Sequence, residues 1–154
     1  MRHACVAFAA LLALAGCGDG TGDNELSGSS VKSYNLAFDS VVVQKQTAGG
    51  VFKAMVVRYI KQRKGANPSN PVVVVANAPV KEGEKKDITG NNGSIYRVMD
   101  DGSVFPDVKT GHITFSSLGE VGEKGAGEFY VTFNDSLKTT LNGTFSATVT
   151  AIGD

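Results

Sequence analysis

The sequence predicts an all-β fold, a single antiparallel β-sandwich or alternatively a small β-barrel, behind a flexible N-terminal tether. Three observations support this prediction. Short runs of β-branched and aromatic residues recur along the chain, and clusters of Gly, Asn, Asp and Pro separate them. Two of the runs alternate apolar and polar side chains, as a strand does when one face is buried. Several short strands between tight turns, in a chain of 154 residues, are typical of a one-domain sandwich or barrel.

The first segment of the chain, residues 1–16, has the layout of a cleavable signal peptide. Arg2 and His3 precede an apolar run from Ala4 to Ala15, and small residues close that run. A membrane-spanning helix needs roughly 20 apolar residues to cross about 30 Å of hydrocarbon, so this run is too short to be a span. A basic start, a short apolar run and a small-residue cleavage site are the parts of a secretory signal. The sequence therefore predicts export and removal of residues 1–16.

The end of this segment, Leu14-Ala15-Gly16-Cys17, resembles the lipobox of bacterial lipoproteins, which consists of Leu, a small residue, Gly or Ala, and Cys. The resemblance covers residues 1–17. It implies that signal peptidase II recognises the first three of these residues and cuts before Cys17. It also implies a diacylglycerol on the Cys17 thiol and an acyl chain, such as palmitate, on the new amine. By the same resemblance, Gly18 favours the outer membrane, with the domain facing the periplasm or the surface.

Cysteine usage agrees with a lipidated N-terminus. The chain has two cysteines, Cys5 and Cys17, and cleavage would discard Cys5. The mature chain would then have no pair for a disulfide, and no free thiolate for a metal site or a nucleophile. Covalent lipid on Cys17 accounts for the remaining thiol, and the sequence implies no non-covalent cofactor.

A tether is predicted after the lipidation site, because Gly, Ser, Asp and Thr dominate residues 18–32. Such a segment has too little apolar surface to compensate for the entropy lost on ordering. We therefore predict a lipidated cysteine and flexible linker over residues 17–32. An all-β domain follows over residues 33–154.

The strands of that domain are predicted from β-prone runs. These runs are Val41–Val43, Val72–Ala76, Ile95–Met99, Ile113–Phe115, Phe129–Phe133 and Thr144–Val149. The last two alternate most clearly: Phe145, Ala147 and Val149 share one side of the final run, with hydroxyl residues on the other. We expect these two runs to pair, in a register that keeps the phenylalanines out of water.

The segment Val51–Lys64 fits two periods. As a helix it would place an apolar stripe opposite several cations, and as a strand it would have two apolar faces. Its β-branched residues, Val56, Val57 and Ile60 among them, favour a strand. We therefore predict a strand that forms a hairpin with Val72–Ala76.

Charge excludes one class of partner and suggests another. Fifteen basic and fifteen acidic residues cancel, so the composition gives no indication of nucleic-acid binding. The one basic cluster comprises Lys53, Arg58, Lys61, Arg63 and Lys64. It predicts a contact with anionic headgroups or lipopolysaccharide, and the alternative is a solvated hairpin tip.

Catalytic signatures are scarce. His112 is the one histidine left after cleavage, and a hydrolase would have to combine it with Ser116 or Ser117 and Asp107. The sequence has no G-x-S-x-G elbow and no H-E-x-x-H zinc motif. Asp100 and the residues after it form a turn signal rather than a calcium loop. We therefore predict no catalytic residues and no metal site.

Taken together, these features predict a lipid-anchored protein of the cell envelope with an all-β binding or scaffold domain. Its expected partner is an envelope protein or a glycan. The alternatives are a carrier of an apolar ligand in a small barrel and, third, a hydrolase using His112. The tyrosines are interpreted as core and interface residues: Tyr34, Tyr59, Tyr96 and Tyr130.

Overall fold

The computed structural model describes residues 24–62, 70–77, 79–97 and 104–153. The structure is 60% strand and 7% helix, which confirms the all-β prediction. The strands are β1 (Glu25–Ser27), β2 (Ser40–Ala48), β3 (Val51–Lys61), β4 (Asn70–Asn77), β5 (Lys85–Asp87), β6 (Gly93–Tyr96), β7 (Val108–Ser117), β8 (Lys124–Phe133) and β9 (Thr140–Ile152). One short helix, α1 (Ser29–Ser33), and one 3-10 turn (Gly90–Asn92) complete the described elements.

The strands form one sheet in the order β5-β7-β8-β9-β2-β3-β4-β6, and β1 pairs with β9 beside this path. Only the 3-10 turn and its flanking residues separate β5 from β6, so the chain itself connects the two ends of the order. Ile88 fills this seam, because it is buried and its N–H donates to the Gly111 carbonyl at 3.2 Å. The sheet is therefore a nearly closed barrel, the alternative architecture predicted beside the sandwich.

The two alternating runs form the predicted hairpin. β8 and β9 pair antiparallel, with Phe129 opposite Gly143 and Val131 opposite Leu141. Phe129, Val131 and Leu141 are all buried, as the period-two pattern requires. One pairing departs from the antiparallel expectation, because β2 runs parallel to the second half of β9.

The ambiguous segment is a strand from Val51 to Lys61. β3 pairs antiparallel with β2 on one side and with β4 on the other, which confirms the predicted hairpin. Its inward side chains, including Val57 and Tyr59, are fully buried. The outward Val56 and its neighbour Val74 on β4 are also buried. Apolar side chains on both faces explain why the segment does not show a clean alternation.

The barrel interior is filled by side chains, and Tyr59 lies at its centre. The Tyr59 hydroxyl donates to the Thr144 carbonyl at 2.7 Å. Its ring packs edge-on against Phe38 at 5.0 Å and Phe129 at 6.0 Å. Burial raises the pKa of this phenol, so Tyr59 stays protonated and acts as a structural donor.

The described domain begins earlier than the sequence predicts. Strand β1 and the first four residues of helix α1 lie inside the segment 17–32 that the sequence prediction assigns to the linker. β1 pairs with the first half of β9, whereas β2 pairs with its second half, and Leu26 packs into the core. A strand of three residues with one buried leucine shows no recognisable strand pattern within a Gly/Ser-rich stretch, so the sequence does not predict β1. Residues 17–23 lie outside the described residues.

Candidate functional site

One outer surface of the barrel combines polar side chains from five strands. Strands β1, β5, β7, β8 and β9 pair in register, so their outward residues form rows across the sheet. One row contains Asp87, His112, Tyr130, Asn142 and Ser27, and the next contains Lys85, Thr114, Glu128, Thr144 and Glu25. We call these two rows the polar face. Their neighbours along β7 and β8, such as Ile113 and Phe129, are buried in the core, which fixes the outward direction of the rows.

Two rings lie at the centre of the polar face. His112 and Tyr130 are cross-strand neighbours with ring centroids 5.9 Å apart and planes inclined by 29°. Tyr130 is 41% exposed. The pair therefore presents a large amphipathic surface to solvent.

The surroundings of His112 favour the neutral form of its imidazole. Partial desolvation lowers its pKa below the ordinary value, and the positive charge of Lys85 lowers it further. The carboxylates of Glu128 and Asp87 act in the opposite direction but more weakly. A neutral imidazole has one N–H donor and one ring-nitrogen acceptor. His112 can therefore both donate and accept a hydrogen bond on this surface.

An open groove of about 440 Å³ adjoins the second row of the polar face. Ala126 lies at the outward position of this part of β8, and its small side chain leaves room between the taller side chains of β7 and β9. Hydroxyls of Thr114, Ser116, Thr144 and Ser146, one carboxylate (Glu128) and one ammonium group (Lys124) line the groove. Its lining suits a ligand with many hydrogen-bonding groups.

The residues named for a hydrolase do not come together. Ser116 lies four residues along β7 from His112, which is about 13 Å on an extended strand. Ser117 donates instead to the Lys124 carbonyl at 3.1 Å. Asp107 precedes β7, and its carbonyl accepts from Asn134 at 2.7 Å. Within the described part of the chain, no hydrogen bond links the His112 imidazole to a serine or a carboxylate.

The predicted basic cluster is only partly described. Lys53, Arg58 and Lys61 all lie on β3, where eight residues span about 26 Å. Lys53 sits at the β-bulge between β2 and β3, and Arg58 is half-buried on the outward face. Arg63 and Lys64 lie outside the described residues. The contact with anionic headgroups stays a prediction.

The polar face could not be assembled from the sequence. His112 and Tyr130 are 18 positions apart, and they meet because β7 and β8 pair antiparallel with a register shift between Phe115 and Ser117. Tyr59 is a core residue as expected, while Tyr96 is exposed on β6, away from the polar face. A tyrosine at an outward position of an alternating run was the available signal for Tyr130.

The described residues contain no group of three or more His, Cys, Asp or Glu side chains that could hold a metal ion. Among the described helices, none combines the length and apolar character needed to cross a bilayer. The carboxylates Asp100 and Asp101 lie outside the described residues.

The chain was also compared with known proteins. No protein-family model matches it, and it has no match among curated proteins or solved structures.

Proposed function

We propose that the protein is an exported lipoprotein of the outer membrane whose barrel binds an envelope glycan through the polar face. The lipobox resemblance at Leu14–Cys17 supports the anchor. For the domain, the proposal depends on one observation: half-buried His112 and exposed Tyr130 lie side by side in a row with carboxylate, amide and hydroxyl side chains.

The chemistry of this surface suits a sugar polymer. A sugar ring has hydroxyl groups around its edge and C–H groups on its faces, so it requires many hydrogen-bonding partners and some apolar contact. Tyr130 and His112 supply an apolar body with polar atoms. Asp87, Asn142 and Thr144 add acceptors and donors at neighbouring positions. An extended face also suits a polymer better than a single small solute.

The other candidate functions have less support. A carrier would hold its apolar ligand inside the barrel, but Phe115, Phe133 and Phe145 fill the described interior and are buried. The hydrolase hypothesis requires a serine and a carboxylate at hydrogen-bond distance from His112. A scaffold that binds another envelope protein is the second candidate, because the polar face combines outward side chains from five strands.

Tyr130→Ala is expected to weaken glycan binding about tenfold, which corresponds to about 1.4 kcal/mol. The measurement is cosedimentation of the full-length protein, in detergent micelles, with purified peptidoglycan sacculi and, in a second arm, immobilised O-polysaccharide. His112→Ala should also weaken glycan binding, since it removes the other ring of the pair.

Tyr96→Ala is the matched control, because Tyr96 is 44% exposed but lies on β6, outside the polar face. It should bind like the wild type. Retention of full affinity in Tyr130→Ala would contradict the assignment of the site. If the wild-type protein binds neither polysaccharide, the proposal that the domain binds an envelope glycan is contradicted and a protein partner is favoured.

A further inference from the structure

A second cavity lies at one end of the barrel, away from the polar face. It has a volume of about 330 Å³ and is bounded by the start of β3 and by the connections that follow β4 and β7. We call it the mouth pocket. Phe52, Met55, Val80 and Leu118 supply its apolar lining, and its charged lining residues are Lys45, Lys81, Glu82 and Glu120. Small-molecule pockets have volumes of roughly 300–1,000 Å³, so the mouth pocket can hold a short ligand.

Lys45 occupies an inward position of β2. Val43, two residues earlier on the same side of the strand, is fully buried. Lys45 is paired in register with Met55, which is also buried. The Lys45 side chain is only 22% exposed. Lys45 therefore places a cation on the core-facing side of β2. The desolvation of this charge must be offset by an anion or an aromatic ring.

Two partners offset the charge of Lys45. Its ammonium nitrogen lies 2.7 Å from Glu120 Oε2 and 5.6 Å from the centroid of the Phe52 ring. Lys45 and Phe52 are both part of the pocket, but the Glu120 side chain is 76% exposed. An ion pair with so exposed a partner is typically worth about 0–1 kcal/mol. Glu120 can therefore leave Lys45 at little cost, while the cation stays in place.

The walls of the mouth pocket are held by hydrogen bonds. The Gly83 N–H donates to the Phe115 carbonyl at 2.8 Å, which ties the loop after β4 to β7. Glu82, also at the pocket, accepts from the Leu118 N–H at 3.3 Å and is engaged with backbone. Because these walls are already in place, a ligand would not have to order them, which lowers the free-energy cost of binding.

We propose that the mouth pocket binds a small aliphatic carboxylate, whose carboxyl group replaces Glu120 on Lys45. The apolar lining receives the hydrocarbon body, and the cation at the inner rim selects a negatively charged head. This binding site is independent of the polar face and of the proposed glycan function. A medium-chain carboxylate matches the pocket in size, charge and polarity.

The test is calorimetric titration of octanoate into the full-length protein in nanodiscs, with empty nanodiscs as the blank. Octanol and octylammonium, which have the same chain but no negative charge, should bind at least about tenfold more weakly. Glu120→Gln removes the internal competitor, so octanoate affinity should rise about two- to fivefold. Lys45→Met removes the cation but keeps the length of the side chain, and affinity should fall at least about tenfold.

Lys86→Met is the matched control. Lys86 is 25% exposed and lies 3.8 Å from Glu84, so it resembles Lys45 in exposure and pairing but lies on β5. It should bind octanoate like the wild type. Equal binding of octanol and octanoate, or a fall in affinity in Glu120→Gln, would overturn the proposal. If Lys45→Met is unstable, Glu120→Gln still tests the proposal, because Glu120 is exposed and its substitution should not disturb the fold.

Discussion

Gly127→Ala is expected to lower the free energy of unfolding by about 3 kcal/mol, at the upper end of the cost of overpacking a core. Gly127 is an inward position of β8, the central strand of the β7-β8-β9 wall. A Cβ atom there would overlap the Thr114 carbonyl oxygen and lie 2.7 Å from Phe145 Cζ. Both neighbours are fixed, since Thr114 O belongs to the β7 backbone and Phe145 packs against Phe115 at 5.0 Å. The strand must therefore shift to accept one methyl group.

Urea unfolding followed by far-UV circular dichroism measures this loss. Ala126→Val is the control, because Ala126 is the adjacent outward position of the same strand and is only partly buried. A surface substitution of this kind should change stability by no more than about 0.5 kcal/mol. A free energy of unfolding for Gly127→Ala within about 0.5 kcal/mol of the wild-type value would contradict the close packing of β8 against β7 and β9.

Cys17→Ala is expected to abolish lipidation completely. The thiol of Cys17 is the predicted acceptor of the diacylglycerol, and the other cysteine, Cys5, does not follow a lipobox-like sequence. Without lipid, signal peptidase II should not cut, so residues 1–16 should stay attached. The measurement is labelling of growing cells with an alkyne-bearing fatty acid, followed by gel detection of the protein and its size.

Cys5→Ala provides the internal comparison, since Cys5 is the other cysteine of the chain. This variant should be labelled and processed like the wild type. Label that persists in Cys17→Ala, or that disappears in Cys5→Ala, would contradict attachment at Cys17. A mature lipoprotein carries several acyl chains and stays stably on the membrane, whereas a single chain gives marginal, reversible binding.

The local structure of the barrel was predictable, but its closure was not. Alternation in β8 and β9, and β-branched residues in β3, report which segments are strands. Closure depends on pairings between distant segments: β2 lies parallel to β9, and a three-residue 3-10 turn connects the β5 and β6 ends of the sheet. No sequence period encodes such contacts. β1 was missed for the related reason that three residues give no measurable alternation.

The candidate sites depend on the same long-range register. His112 and Tyr130 are both visible in the sequence as outward residues of alternating runs, but their adjacency requires the pairing of β7 with β8. Lys45 had a clearer signal. Val41 and Val43 are apolar at alternate positions of β2, and Lys45 continues that phase as a charge. A charged residue on the core-facing phase of a strand marks either the end of the core or a site.

The most direct test of the lipoprotein account is the intact mass of the wild-type protein purified from membranes, combined with sequencing of its N-terminal peptide. We expect a mature chain that begins at Cys17 and carries the mass of a diacylglycerol and an amide-linked acyl chain. A chain that begins at any other residue, or an unmodified Cys17, would contradict it.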